Sequence, residues 1–343
     1  MTFLWKKGPS YWRRRGRADI TVNSRSSLVW GTYLPDATTA GLADPSLVTT
    51  IIPGNITYSN PSSTPKIISN TEFQGYVYIQ GAYYKFINCR FVGPVSPTMG
   101  TVQTRYAVTH NIEFEDCHFE PRGKNYHSGN LQGRGWKALR CDFSGGIDGC
   151  GPAVVDGGTR IDVTIQQCYI HDLLRYCPDP NQPSDNQSHA DAIQWAGGLG
   201  LTLLGNRIEG LLDTSIGSTF QPGTYDGNGK LTGGHQFYPN PVSTSAIMIN
   251  ALSNVIQPGE LIMQKNWIRG GFVGVNSIGT PSAWLSADGS DISENHFKND
   301  QGYGSNNRWV GKASQVGLSI HDNYVWLTDP LDNSTPINPK VNV

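Results

Sequence analysis

Charge is scarce in this chain. Asp, Glu, Lys and Arg make up 15% of its 343 residues, and Lys and Glu, common in long surface helices, are few. No stretch of ten or more residues repeats apolar side chains at i, i+3, i+4 and i+7, which argues against helix as a main element. No segment is apolar for long enough to span a bilayer as a helix, so no membrane insertion is expected. The basic start (Lys6, Lys7, Arg13, Arg14, Arg15 and Arg17, all before Asp19) is followed by no apolar run. That argues against a secretory signal and places synthesis in a cytoplasm. A net charge of -1 gives no sign of a nucleic-acid binder. No strand carries the carboxylate spacing of a calcium site, and no metal or cofactor is expected.

What is abundant is turn-forming. Gly (40) and Pro (21) together reach about 18% of residues, above the usual ~12%. Between the turns one pattern recurs eight times: alternating apolar residues, then Asn or Cys, any residue, and a large apolar residue. It reads YKFINCRF (84–91), IEFEDCHF (112–119), WKALRCDF (136–143), VTIQQCYI (163–170), LTLLGNRI (201–208), LIMQKNWI (261–268), DISENHF (291–297) and LSIHDNYV (318–325).

The Asn/Cys position falls at Cys89, Cys117, Cys141, Cys168, Asn206, Asn266, Asn295 and Asn323, at spacings of 28, 24, 27, 38, 60, 29 and 28. Most of these suit one coil of a three-sided solenoid whose rungs stack at the strand separation of about 4.8 Å. The spacing therefore predicts an all-β fold, a right-handed single-stranded parallel β-helix of about ten rungs. The 38 leaves room for a loop at 176–188, and the 60 for a loop at 217–243 plus an extra rung at Ala246–Asn250. At one corner of every rung, like residues meet only each other. Asn can pair its amide with the next Asn and with turn backbone, while Cys suits the same corner as a small hydrophobe. Four thiolates in a line cannot enclose an ion tetrahedrally, which opposes a metal reading. Cys150 and Cys177, each nine residues past a corner, are expected as neighbours on adjacent rungs. A disulfide and a thiol pair are both open, and the missing secretion signal favours thiols.

These units resemble the pectate-lyase-type β-helix repeat. With the opening LPDATTAGL (34–42), the run 47–93 and HADAIQ (189–194), the chain over roughly 30–325 is similar to the right-handed β-helix minor tail proteins of phages that infect actinobacteria. It departs from their pattern at 62–70, where SSTPKIISN replaces a Gly-rich turn. The resemblance implies a virion tail protein, made in the host cytoplasm, that contacts host cell-envelope glycan during adsorption. It implies a homotrimer or multi-copy array as well, since repeated weak sites gain by avidity. Residues 1–30, basic and bearing Trp5, Tyr11 and Trp12, would be the arm that attaches to other virion tail proteins. Residues 31–66 would be an N-terminal cap with entry strands, 67–326 the coil, and 327–343 a cap over the last rung.

Candidate sites concentrate at 169–213. Arg175, Tyr176, Gln194 and Trp195 are the residue types that stack on and bond to sugars. His189, Asp191, Asp172 and Asp213 could supply the base and carboxylates of a glycan depolymerase, a polysaccharide lyase or glycoside hydrolase, with Arg175 neutralising a uronate. Strand parity places Asp191 on the side of Ile193, however, which suits a buried turn residue. The insertion 217–243, with Lys230 and His235, is a second place for a partner to bind. Trp267, Trp309, Tyr324 and Trp326 add aromatic surface. A virion component with an architectural role alone is the third alternative, because fold does not choose among functions.

Overall fold

The computed structural model describes residues 25, 28–29, 31–59, 61–104, 108–123, 129–153, 162–176, 179, 188–196, 198–210, 224–225, 227, 231–233, 245–250, 258–271, 273–278, 290–298, 310–311, 319–325 and 336–337. Nearly all the regular structure among them is short strand. The chain visits three sheets in turn. Thr50–Ile52 opens the first sheet, Ile56–Tyr58 the second and Pro61–Ser69 the third, and Thr71–Phe73 returns to lie parallel on Thr50–Ile52. Among the described residues the first sheet stacks ten parallel strands and each of the others nine. The fold is a right-handed parallel β-helix.

The coil opens at Thr50, ahead of the expected 67. No extra rung lies between Asn206 and Asn266, contrary to the reading of their wide spacing. Arg207–Glu209 pairs directly with Trp267–Arg269, and Gly198–Leu204 with Pro258–Gln264. Ser245–Asn250 is simply that rung's strand in the second sheet, paired with Ile193–Trp195 on one side and Val273–Ile278 on the other. The 217–243 insertion carries its own small antiparallel pair, Thr224–Tyr225 with Leu231–Gly233.

Every described passage from the third sheet to the first turns on one residue in the left-handed region. Asn70, Asn88, Asp116, Arg140, Gln167, Lys265, Glu294 and Asp322 have φ of 51–55°, and Gly205 has 60°. That conformation costs a residue with a Cβ about 1–2 kcal/mol. The corner accepts it because, at seven of these nine residues, the turn N–H meets a carbonyl of the next rung, as from Asp116 to Leu139 O (3.0 Å) and from Gln167 to Leu204 O (2.9 Å). The departure from the family pattern at 62–70 leaves this geometry intact at Asn70.

The ladder residue follows directly. All eight expected members are fully buried. Asn206, Asn266 and Asn295 each donate Nδ2–H to the Oδ1 of the next Asn, at 2.9, 2.9 and 3.0 Å, and that same Oδ1 accepts the backbone N–H of the lower residue. Each Nδ2 also donates to a carbonyl of the rung below, as Asn266 does to Leu203 O (2.9 Å). The cysteines do more than fill space. The thiols of Cys117, Cys141 and Cys168 donate to Phe86 O, Phe114 O and Ala138 O, the places the Asn amides take higher up. Cys168 Sγ accepts the Cys141 N–H at 3.3 Å. Thr71, one rung below Cys89, continues the column with its hydroxyl on Ser69 O.

Beside this polar column runs an aromatic one. Phe73, Phe91, Phe119 and Phe143 stack with centroids 4.9, 4.7 and 4.6 Å apart and nearly parallel planes. Ile170, Ile208, Ile268 and Phe297 continue it along the inner face of the first sheet.

A strap crosses the corner column from outside. Arg25 donates to Gly41 O (2.9 Å) and Thr38 O (2.6 Å) and reaches Asp116 at 3.5 Å. Gln167 donates to Leu28 O (3.0 Å), the Gly41 N–H meets Arg140 O (2.8 Å), and Asp44 exchanges bonds with Asn88. Gly31 and Gly41, both at positive φ, lie too close to the Lys265 and Asp142 side chains for a Cβ. The end of the expected attachment arm is thus seated on the body at Arg25 and Leu28; residues 1–24 lie outside the described residues. At the far end, Pro336–Ile337 pairs antiparallel with Asn323–Tyr324 and covers the last strand of the first sheet.

Candidate functional site

The alternation of a strand fixes which residues of each rung point away from the core. In the first sheet the ladder residue and the apolar residue two places on point inward, so the residue between them and the one after point out. In register these outward positions form two columns. One runs Glu72, Arg90, His118, Asp142, Tyr169, Arg207, Trp267, His296, Tyr324; the other includes Glu120, His171, Glu209 and Arg269.

Their side chains form a continuous ionic row. Arg90 lies 3.4 Å from Glu72 and 3.7 Å from Glu120, and His118 Nε2 lies 3.3 Å from Glu120. Asp142 sits between two imidazoles, with Oδ1 3.4 Å from His118 Nδ1 and Oδ2 3.2 Å from His171 Nε2. His171 Nδ1 meets Asp172 at 2.9 Å. Both nitrogens of His171 therefore face carboxylates. Burial works against the charged ring, but Asp142 and then Asp172 outweigh it and hold the pKa up at about 10. At neutral pH His171 is a cation and a donor. Its ring stacks on Tyr169 at 3.8 Å, and the Arg207 guanidinium lies 4.7 Å from the Tyr169 centroid while holding Glu209 at 2.6 Å. Farther along, Trp267, His296 and Tyr324 stack in sequence at 5.7 and 5.3 Å, but Trp267 and His296 are buried, so Trp267 does not add the aromatic surface expected of it.

Compared with family models, curated proteins and solved structures, the chain matches none.

The residues singled out in the sequence scatter over three places. Asp172 joins this outer row, exposed and at positive φ (48°). Gln194 is half-buried on the outer side of the second sheet, while Trp195, 1% exposed, belongs to the core and offers no outer plane for a sugar. Arg175 and Tyr176 are buried at the foot of the 176–188 insertion, where Tyr176 packs with Ile147 and Leu174. His189 is half-buried. Asp191 is wholly enclosed, as its parity with Ile193 implies, so its carboxylate cannot reach an outside substrate. Asp213, Trp309, Trp326, Lys230, His235 and Cys177 lie outside the described residues. Cys150 is a buried free thiol whose register partner on the adjacent rung is Ile193. Among the described residues no group of three or more His, Cys, Asp or Glu is arranged to hold a metal.

Sequence reasoning reaches His171, Asp172, Trp267 and Tyr324 singly but not the outer row that joins them. Its signal was present, since its first column is the unrestricted residue after each Asn or Cys. Written one above another these residues place acids, bases and rings side by side, whereas along the chain they are separated by whole rungs.

Proposed function

We propose that this chain is a phage tail protein whose β-helical body contacts host cell-envelope glycan along the outer face of its first sheet. One observation carries the reading: charged and aromatic side chains stand on that face at the repeat of the rungs, about 4.8 Å. The half-buried members Glu72, Arg90, Tyr169, Arg207 and Tyr324 offer an extended polymer donors, acceptors and ring edges. The resemblance of the repeats and the entry region to minor tail proteins supports the virion setting. The ladders support a stiff, protease-resistant rod, and residues 1–30 suit attachment to other tail proteins. A chain present in several copies on one particle would multiply a weak site.

Depolymerisation of the same glycan is a second reading, favoured by the Asp142–His171–Asp172 row. There Asp172, open to solvent beside the His171 imidazolium, would act as the base. One experiment separates the two. Purified protein is incubated with host cell-wall polysaccharide, and both co-sedimentation and new reducing ends are measured. Binding without product, weakened about tenfold by Arg207→Ala, is the expected outcome. Product formation abolished by Asp172→Asn would establish the enzyme, and neither binding nor product would leave an architectural role.

A further inference from the structure

We infer that the open first rung of the coil docks end to end onto the first rung of a second copy of this chain, about a two-fold axis. This contact does not depend on the glycan reading. Thr50–Ile52, Ile56–Tyr58 and Pro61–Ser69 are the terminal strands of their sheets, each bonded on one side alone among the described residues. The Thr50 N–H meets Asn70 O (3.4 Å), and Ile52 O accepts the Gln74 N–H (2.8 Å), so both residues bond towards the second rung. Ile51, between them, aims its N–H and C=O at the open side. Ile56 N–H likewise meets Tyr76 O (2.9 Å) and Tyr58 O accepts the Gln80 N–H (2.8 Å), which leaves the backbone of Thr57 facing out.

Apolar surface accompanies these edges. Ile51 and Ile67 are 57% and 63% exposed, and Ile52, Ile56, Tyr58 and Ile68 cover the end of the core while only partly buried themselves. Strand edges and apolar area left in water together invite another chain. The charge of this end selects which one. Residues 45–69 carry a single charged side chain, Lys66. Two such faces meet without repulsion, whereas residues 1–24, with six basic side chains against Asp19 alone, find no acid in that stretch. The far end is not equivalent. Pro336–Ile337 already lies on the last strand of the first sheet, so a copy cannot add there in parallel and extend a filament. A two-fold contact at the first rung closes instead. Ile51 of each copy then exchanges both backbone bonds with Ile51 of the other, as an antiparallel pair. The same axis lays each second-sheet edge over the other copy's third-sheet edge, which keeps the two Lys66 side chains apart.

The test follows the full chain by analytical ultracentrifugation from about 1 to about 200 µM. Monomer should pass to dimer across that range. Ile51→Lys alters an exposed side chain and should weaken association about tenfold or more, with the thermal midpoint of the dilute protein unchanged. If that variant fails to fold, Ile67→Lys gives the same reading. Ile51→Cys fixes the geometry: its paired Cα atoms would lie about 5.5 Å apart, within disulfide reach. Mild oxidation with copper phenanthroline should therefore cross-link two copies above the wild-type background. Val108→Cys, exposed on the side of the coil, should not cross-link. A chain that stays monomeric throughout, a trimer, or a dimer indifferent to both lysine variants overturns the inference. So does slow hydrogen exchange of the Ile51 and Thr57 amides in the dilute monomer, which would mean that a segment of the same chain covers the end.

Discussion

Replacing Asn266 tests whether the corner column holds by hydrogen bonding or by filling space. Its Nδ2 donates to Leu203 O and Asn295 Oδ1, and its Oδ1 accepts both the backbone N–H and the Nδ2–H of Asn206, all at 2.9 Å. In Asn266→Ala, Asn206 Nδ2 keeps its bond to Ile165 O, and Asn295 Oδ1 keeps the residue 266 N–H. The Asn206 N–H and the Leu203 carbonyl lose these partners deep in the core. Each such buried group costs about 1–3 kcal/mol, and the vacated volume adds to that, so the expected loss is about 4 kcal/mol. Asn266→Cys should behave differently. At Cys168 a thiol already does both jobs, accepting the N–H from the rung below at 3.3 Å and donating to Ala138 O at 3.6 Å. Its expected cost is about 1–2 kcal/mol, reflecting weaker sulfur bonds. The assay is denaturant unfolding of the full chain, with hydrogen exchange at the Asn206 amide as a local readout. Equal losses for the alanine and cysteine variants, with equal deprotection of Asn206, would refute the hydrogen-bonding account.

Two further outcomes are expected. Because Asp142 and Asp172 raise His171 to about 10, the stability it contributes is present below its unfolded value of 6.5 and disappears as pH climbs through about 10. Its ring signals in an NMR titration should show the imidazolium throughout the neutral range, with Asp142→Asn lowering the midpoint by about 2 pH units. Phe119, stacked between Phe91 and Phe143, should cost about 3–5 kcal/mol when cut to Ala and distinctly less as Leu, read from denaturant midpoints.

The coil was legible because stacking forces one residue type to recur. Asn and Cys are unusual enough to stand out, and eight of them revealed the axis. Thr71 escaped because its hydroxyl makes the corresponding bond with different chemistry. The left-handed corner residues escaped because only backbone conformation unites Arg140, Gln167 and Glu294. Spacing misled between Asn206 and Asn266, since a long insertion and an added rung lengthen a repeat alike; only the bond between the two residues distinguishes them. The candidate site was less legible for a related reason. Trp195 and Tyr176 have the composition of a sugar platform, but the period of the second sheet turns Trp195 inward and the foot of an insertion encloses Tyr176. The outer row depends on register across rungs, which no local stretch of sequence displays.

The strap sets an order on how the molecule assembles. Leu28 rests on Gln167, 139 positions later in the chain, and Gly31 abuts Lys265 beyond that. Neither seat exists until those rungs have wound. In a polypeptide emerging from a ribosome, the segment translated early is therefore among the last to find its place, and its closing contacts carry a large loop-closure entropy. The latch that spans the rungs from Asn88 to Lys265 can fasten only once they are built.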